Sequence, residues 1–190
     1  MLSHPSEPDP GACARCAENF GTCCVIDPGK AECCFPLSTA ERQAIEVHTG
    51  NDHGLSRAAN TRDFVRSMQD LFPGEGVRVA EAFPGWDFHW HLRVDSQGAC
   101  VFLQETGCVL PREIRPAYCR LFPFWVRKGE ILHFALSDCQ ALRESLNLAG
   151  LRQIFTLSDQ DIFELYLTIR KGWSLPQKGG NTPRRCDWLS

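Results

Sequence analysis

The chain contains no apolar stretch near the roughly 20 residues that a membrane-spanning helix requires. Its first ten residues are polar and rich in proline, and they lack the apolar core of a secretory signal. We therefore expect a cytoplasmic protein without a membrane span. With 190 residues, 43% of them hydrophobic, the chain is long enough for one ordinary domain with a sufficient core.

Basic residues are too few to indicate a nucleic-acid surface. The 20 lysines and arginines stand against 23 acidic residues, giving a net charge of −3, whereas nucleic-acid-binding domains are normally basic. Arg184 and Arg185 form the nearest basic patch, and two charges near a chain end are more typical of a solvated tail. We expect no nucleic-acid partner.

Cysteine, in contrast, is abundant, with 11 residues. An odd number excludes complete intramolecular pairing, and a chain of this length does not need disulfides to stay folded. In a reducing compartment many cysteines indicate metal ligation more often than disulfides. Metal binding is therefore the hypothesis that we favour, with disulfides and buried inert thiols as the alternatives.

Most of the cysteines fall into two groups that we expect to meet in the folded protein. Cys13 and Cys16 form a C-x2-C loop, a spacing that suits one tetrahedral ion or one edge of a cluster. A second C-x2-C and the bacterial ferredoxin run are absent from the sequence. The pattern thus predicts thiolate chemistry without identifying the metal. The groups are Cys13, Cys16, Cys23 and Cys24, and then Cys100, Cys108 and Cys119.

Two arginines lie close to Cys119. Positive charge on Arg115 and Arg120 would favour the Cys119 thiolate and offset the negative charge that several thiolates accumulate. We therefore predict that both arginines support the bound cofactor. Ion pairing with Glu105 or Glu113 explains them equally well.

The other cysteines have weaker predicted roles. Cys33 and Cys34 are adjacent, and neighbouring thiols point in different directions in any regular backbone, so they seldom bind one ion together. Adjacent pairs therefore indicate two sites, a larger cluster, or one ligand beside one spectator, and for Cys33 and Cys34 we favour the spectator interpretation. Cys186 lies in a tail rich in proline, glycine and arginine with no cysteine near it, and we interpret it in the same way.

Over about two thirds of its length the chain resembles the CxxCxxCC cysteine-cluster family, also called YkgJ-like, of zinc- or iron-chelating domains. The specific part of the resemblance is the string RPxxCRxFPF at residues 115–124. One difference is the six-residue gap between Cys16 and Cys23, where the family usually has two residues, and this leaves Cys33 or Cys34 as alternative ligands. The resemblance implies eight metal ligands: Cys13, Cys16, Cys23, Cys24, Cys100, Cys108, Cys119 and Cys139.

The resemblance implies an iron–sulfur cluster or zinc in a structural, redox or carrier role. A family branch similar to flagellin lysine N-methylases, together with the excess of thiols over imidazoles, favours iron–sulfur slightly. That branch also implies an alternative function, a cluster-dependent protein-modifying enzyme, although the chain is short for one and has no GxGxxG loop after a strand. A third alternative is a metal-stapled module whose residues 122–125 contact a protein partner, but the core is the usual place for such aromatics.

The remaining pattern predicts an α+β fold: a single small domain with helices packed around short β-hairpins and an irregular cysteine-rich metal-binding core. We expect this domain to span residues 12–174, between a disordered N-terminus at residues 1–11 and a flexible tail at residues 175–190. Four longer helices are predicted, beginning at or near Ser38, Asn60, Ser137 and Ser158. Residues 117–120 should form a short helical turn, and residues 122–126 and 131–136 a hairpin.

Residues 86–94 alternate between apolar and polar side chains, which predicts a half-buried strand. A turn at residues 96–98 would join it to residues 99–103 as a hairpin. His89 and His91 share the polar face. Solvent exposure of that face is the prediction that we favour, and pairing of the two imidazoles on a metal ion is the alternative.

Overall fold

The computed structural model of the protein describes residues 11–18, 23–26, 34–134 and 139–176. Helices and short antiparallel strand pairs alternate along this part of the chain, which confirms the predicted α+β class. In chain order the elements are α1 (Ala12–Glu18), α2 (Thr39–Thr49), β1 (Leu55–Ala59), α3 (Arg62–Leu71), α4 (Gly76–Ala82), β2 (Phe88–Leu92), β3 (Leu103–Gln104), β4 (Gly107–Cys108), α5 (Ala117–Leu121), β5 (Phe124–Arg127), β6 (Glu130–His133), α6 (Gln140–Glu144), α7 (Leu148–Phe155) and α8 (Asp159–Gly172).

The described strands pair as three separate two-stranded antiparallel sheets: β1 with β2, β3 with β4, and β5 with β6. The predicted hairpin is confirmed as β5 and β6, which meet at Arg127 and Glu130. Lys128 and Gly129 have φ angles of 51° and 78°, and positive φ at both central residues is typical of a two-residue hairpin turn. Residues 135 and 136 of the predicted hairpin lie outside the described residues.

Two predicted helices begin at the expected capping boxes. At α2 the Ser38 hydroxyl accepts a hydrogen bond from the backbone N–H of Glu41, whose carboxylate accepts one from the Ser38 backbone N–H at 2.8 Å. At α8 Ser158 and Asp161 make the same reciprocal pair. Such boxes satisfy backbone donors that have no partner within the helix, so these boundaries follow from local sequence.

Other helix predictions were correct in outline and wrong in detail. The cap of α3 is Thr61 rather than Asn60, and Phe64 and Met68 are fully buried on it. On α2 Ile45 is fully buried, whereas Val47 is 84% exposed. Residue 137, the predicted cap of α6, lies outside the described range. Helices α4 and α7 were not predicted.

The strand β2 is confirmed, but the face that was predicted to be polar and exposed is buried. His89 and His91 are only 5% and 6% exposed, whereas Phe88 is 53% exposed. The His89 ring stacks on Phe64 with 3.8 Å between centroids, and its Nδ1 lies 2.9 Å from Oδ1 of Asn60. The predicted solvent exposure of the two histidines is therefore wrong. Alternation shows which residues share a face, whereas tertiary packing decides which face is covered.

The partner of β2 also differs from the prediction. β2 pairs with β1, an unpredicted strand, and residues 99–103 join the region through an isolated bridge from Cys100 to Val94. The predicted turn is confirmed, since the backbone N–H of Gly98 donates to the Asp95 carbonyl at 3.1 Å. The turn therefore lies where it was predicted, although the strand that pairs with β2 is β1 and not the segment that follows the turn.

Two apolar clusters make up the core of the described chain. The larger one includes Phe64, Trp125 and Ile162 and joins α3, α4, α5, α7 and α8 to β5. The smaller one centres on Ile45 and Phe102 and contains several of the cysteines. This second cluster lies where the N-terminal and central parts of the chain meet.

The predicted terminal segments lie largely outside the described residues. At the C-terminal end Leu175 is 4% exposed and packs in the larger cluster. The Pro176 carbonyl accepts a hydrogen bond from the buried Arg170 guanidinium. The packed structure therefore extends at least to Pro176. No helix in the described part of the chain has the length and apolarity needed to cross a bilayer.

Candidate metal centre

All eight predicted ligands, and Cys34 as a ninth cysteine, line two adjoining cavities of about 70 and 110 Å³. The nine described cysteines carry thiols and none forms a disulfide. The smaller cavity is lined by Cys13, Cys16, Cys23, Cys24, Cys108, Cys119 and Cys139. The larger cavity is lined by Cys13, Cys23, Cys24, Cys34, Cys100, Cys108 and Cys119. The two sequence-distant groups of thiols therefore surround one region of the molecule.

The C-x2-C pair lies on a helix and not in the predicted loop. Cys13 and Cys16 are three residues apart in α1, a spacing that puts two side chains on one helix face. β4 packs directly against this helix at Gly107, where an added Cβ would lie 3.2 Å from the Ala14 backbone nitrogen. Gly107 thus permits the close approach that sets Cys108 beside α1.

A second contact fixes α1 against α6. The Arg15 guanidinium donates to both carboxylate oxygens of Glu144, with Nε–Oε1 2.9 Å and Nη2–Oε2 2.7 Å. The hydrogen bond from Arg15 lowers the pKa of the Glu144 carboxyl below its usual value. Cys139 immediately precedes α6 as its N-cap residue, and the Cys16 thiol is hydrogen-bonded to the backbone of Gln140. This pair of helices therefore brings Cys16 and Cys139 together.

The segment of residues 23–26 reaches the site through backbone pairing with residues 98–100. The Cys100 N–H donates to the Cys24 carbonyl at 2.7 Å, and the Ile26 N–H donates to the Gly98 carbonyl at 3.0 Å. Gly98 has a φ of +82°, and a Cβ there would lie 1.9 Å from the Ile26 carbonyl oxygen. Only glycine fits this approach, which sets Cys24 next to Cys100.

Arg115 organises the loop between Cys108 and Cys119. Its Nε donates to the Leu110 carbonyl at 2.8 Å and its Nη2 to the Cys108 carbonyl at 2.9 Å. The guanidinium therefore holds the backbone on the N-terminal side of α5, while Cys119 lies within that helix. Arg115 lines both cavities, so it combines a structural role with positive charge close to the thiols.

Arg120 and an unpredicted residue, Arg112, also line the smaller cavity. Arg112 donates to the Phe155 carbonyl at 3.1 Å, which ties the loop to the end of α7. The signal for Arg112 was present in the sequence, because it lies between Cys108 and Cys119 as Arg115 does. Three guanidinium groups near the thiols would offset the charge of several thiolates.

The protein environment disfavours ionisation of several of these thiols. Burial raises the pKa of Cys119 well above its usual value, and neighbouring thiols raise it further. Burial likewise raises the pKa of Cys100 to about 12. A hydrogen bond with Cys24, followed by burial, raises the pKa of Cys23. Cys23 is exposed as a whole residue, but it lines both cavities, and this local enclosure governs its thiol. A metal cation supplies the charge that deprotonates such ligands.

The composition of the site fits a thiophilic metal. Sulfur ligands select zinc, copper(I) and iron–sulfur clusters, and Leu103, Phe122 and Phe155 provide apolar walls around them. Among the described side chains, no group of three or more Cys, His, Asp or Glu is already arranged to hold an ion. The structure thus brings the sulfur atoms into one region without forming a finished coordination shell.

The structure also separates the thiols from other candidates. His89 and His91 line neither cavity, whereas Cys34, interpreted from sequence as a spectator, is 7% exposed and lines the larger one. The sequence feature that pointed to Cys34 was the six-residue gap between Cys16 and Cys23, which is longer than in the family that the chain resembles. Residues 33 and 186, the other predicted spectators, lie outside the described part of the chain.

Comparison of the chain with protein-family models, with curated proteins and with solved structures gave no match. Inference about its function therefore depends on the residues themselves and on their arrangement.

Proposed function

We propose that the chain is a metal-binding cysteine-cluster protein of the YkgJ-like kind. About eight thiolates hold an iron–sulfur cluster or zinc, in a structural, redox or carrier role. The observation that supports this most directly is that all eight cysteines named by the resemblance line two adjoining cavities, although up to 126 positions separate them in sequence. We expect the protein in the cytoplasm, where its thiols stay reduced.

The environment of the thiols supports the same function. Ionisation of several buried thiols is unfavourable in the absence of a cation, as the raised pKa values of Cys100 and Cys119 indicate. A bound metal reverses this because it binds the deprotonated form. Arg115 adds positive charge from the cavity wall while its side chain braces the adjoining loop.

The choice between zinc and iron–sulfur depends on the ligand types. Zinc sites accept thiolate and imidazole together, whereas the clusters of ordinary ferredoxins are held by thiolates alone. The described cavity walls contain thiols and no imidazole. This composition favours an iron–sulfur cluster only slightly, because zinc also binds at sites made of four thiolates.

Elemental analysis of protein purified without oxygen tests the proposal. We expect stoichiometric iron with acid-labile sulfide and visible absorbance, or else stoichiometric zinc in a colourless protein. Wild-type protein that is folded, reduced and free of both metals would refute the proposed function.

Two substitutions and one control locate the ligands. Cys16→Ala and Cys119→Ala should lower both metal content and melting temperature, because metal binding of this kind is coupled to folding. Cys186→Ala, at the cysteine interpreted as a spectator, should change neither. Retention of wild-type metal content and melting temperature in both ligand variants would show that the ligand assignment is wrong.

A further inference from the structure

The nine cavity-lining thiols are not equivalent in position. Five of them line both cavities: Cys13, Cys23, Cys24, Cys108 and Cys119. Cys16 and Cys139 line the smaller cavity only, and Cys34 and Cys100 line the larger cavity only. The site therefore has two ends, each with its own pair of thiols, and a shared set between them.

Each end pair faces one common space. The Cys16 thiol is hydrogen-bonded to the backbone of Gln140, the residue after Cys139, and the Arg15–Glu144 ion pair holds α1, which carries Cys16, against α6, which Cys139 caps. At the other end Cys34 and Cys100 are both buried and both line the larger cavity. Each pair could therefore contribute two sulfurs to one ion.

One tetrahedral ion does not suit both end pairs at once. Four sulfurs around a tetrahedral ion with metal–sulfur bonds of about 2.3 Å lie about 3.8 Å from one another, so all four must line one small space. The end pairs instead line different cavities. One four-sulfur centre would also leave five of the nine thiols without a metal.

On the basis of the function proposed above, we propose that the chain binds metal at two centres. Cys16 and Cys139 belong to the first centre, Cys34 and Cys100 belong to the second, and the five shared thiols complete both. The spacing of the cysteines is compatible with one centre or two, and the family resemblance does not give the number.

Cys24 is the residue best placed between the two centres. Its carbonyl accepts the hydrogen bond from the Cys100 backbone N–H, which sets it beside a thiol of the larger cavity, and Cys24 lines the smaller cavity as well. We therefore assign the Cys24 thiolate to both centres.

Metal counting in paired variants of the full chain tests the two-centre arrangement. Cys16→Ala/Cys139→Ala and Cys34→Ala/Cys100→Ala should each retain about half of the wild-type metal. Cys24→Ala should lose more than either pair, and Cys186→Ala should retain all of it. Circular dichroism of each variant shows whether the fold persists.

The outcomes separate this inference from the proposed function. If wild-type protein holds metal but Cys34→Ala/Cys100→Ala keeps the full amount, the second centre does not exist while the proposed function stands. If the wild type holds no metal, the proposed function itself fails.

A measurement on the wild-type chain alone avoids variants that fail to fold. The reduced protein is loaded with ¹¹³Cd²⁺, a thiophilic probe, and its ¹¹³Cd NMR spectrum is recorded. We expect at least two resonances in the range of sulfur-rich coordination. One resonance at saturation would overturn the two-centre proposal, and the absence of any bound cadmium would count against the proposed function.

Discussion

The Glu41 carboxylate accepts a hydrogen bond from the backbone N–H of Ala117 at 2.8 Å. The same side chain closes the capping box of α2 with its other oxygen. One carboxylate therefore joins the start of α2 to the start of α5, the short helix that carries Cys119. The contact positions Cys119 because it satisfies the backbone N–H of Ala117, a donor that has no partner within its own helix.

Replacement of Glu41 by alanine should lower the free energy of unfolding by about 2 kcal/mol, because it removes half of a capping box and leaves the buried Ala117 N–H without an acceptor. Urea unfolding measures the change. Glu41→Gln, which keeps an oxygen acceptor, should recover part of the loss. Glu46→Ala, on the same helix and paired with Arg42 at 3.7 Å, serves as the control and should have a small effect. Equal losses in the Glu41→Ala and Glu46→Ala variants would contradict the proposed link.

Gly98→Ala should separate residues 23–26 from the site. The new Cβ would overlap the Ile26 carbonyl oxygen, so the segment that carries Cys23 and Cys24 must move. Gly129→Ala is a matched control, because its φ of +78° is similar but no atom lies within 4 Å of the added Cβ. The control should cost only the left-handed strain of about 1 kcal/mol. Gly98→Ala should lower the unfolding free energy by more than this and should also reduce the metal content. Equal losses of stability and metal in the Gly98→Ala and Gly129→Ala variants would argue against the close approach of Gly98 to Ile26.

Arg115→Lys tests whether Arg115 acts through its positive charge or through its hydrogen bonds to the adjoining loop. Lysine keeps the positive charge but cannot reproduce the two directed hydrogen bonds to the Cys108 and Leu110 carbonyls. We expect a loss of about 2 kcal/mol in unfolding free energy and a lower metal content. The exposed Arg78, paired with Glu81, provides the control Arg78→Lys. Full retention of metal in Arg115→Lys would mean that charge alone is sufficient.

Stability should fall as the pH is lowered from about 6.5 to about 4. Burial, and secondarily His91, lowers the pKa of His89 from 6.5 to about 4, so the folded state favours the neutral ring. This contribution is complete above pH 6.5 and is lost as the pH falls through the folded-state pKa. It amounts to about 3 kcal/mol. Urea unfolding across this range measures it.

The slope of the unfolding free energy against pH should be shallower in His89→Phe, which removes the titrating ring. It should be unchanged in His48→Ala, which alters an exposed histidine on α2. Release of metal by acid should affect the wild type and both variants alike. A difference in slope that is confined to His89→Phe therefore reports the protonation of the His89 ring. An unchanged slope in His89→Phe would refute the assignment to this ring.

Much of the local structure could be predicted from sequence because its causes are local. Both capping boxes, the Lys128–Gly129 hairpin turn and the short helix at Cys119 depend on residues within a few positions of one another. The pairing of β2 with β1 could not be predicted, because the partner is distant in sequence and alternation alone is compatible with several partners.

The sequence by itself determined that this is a thiol-rich α+β protein and which cysteines have the pattern typical of metal ligands. Only the tertiary structure decided that the C-x2-C pair lies on a helix, that Cys34 lines the larger of the two cavities, and that His89 and His91 are buried elsewhere. The physical reason is that spacing along the chain limits only near neighbours. The surroundings of a buried thiol or imidazole depend on segments that packing brings from far along the chain.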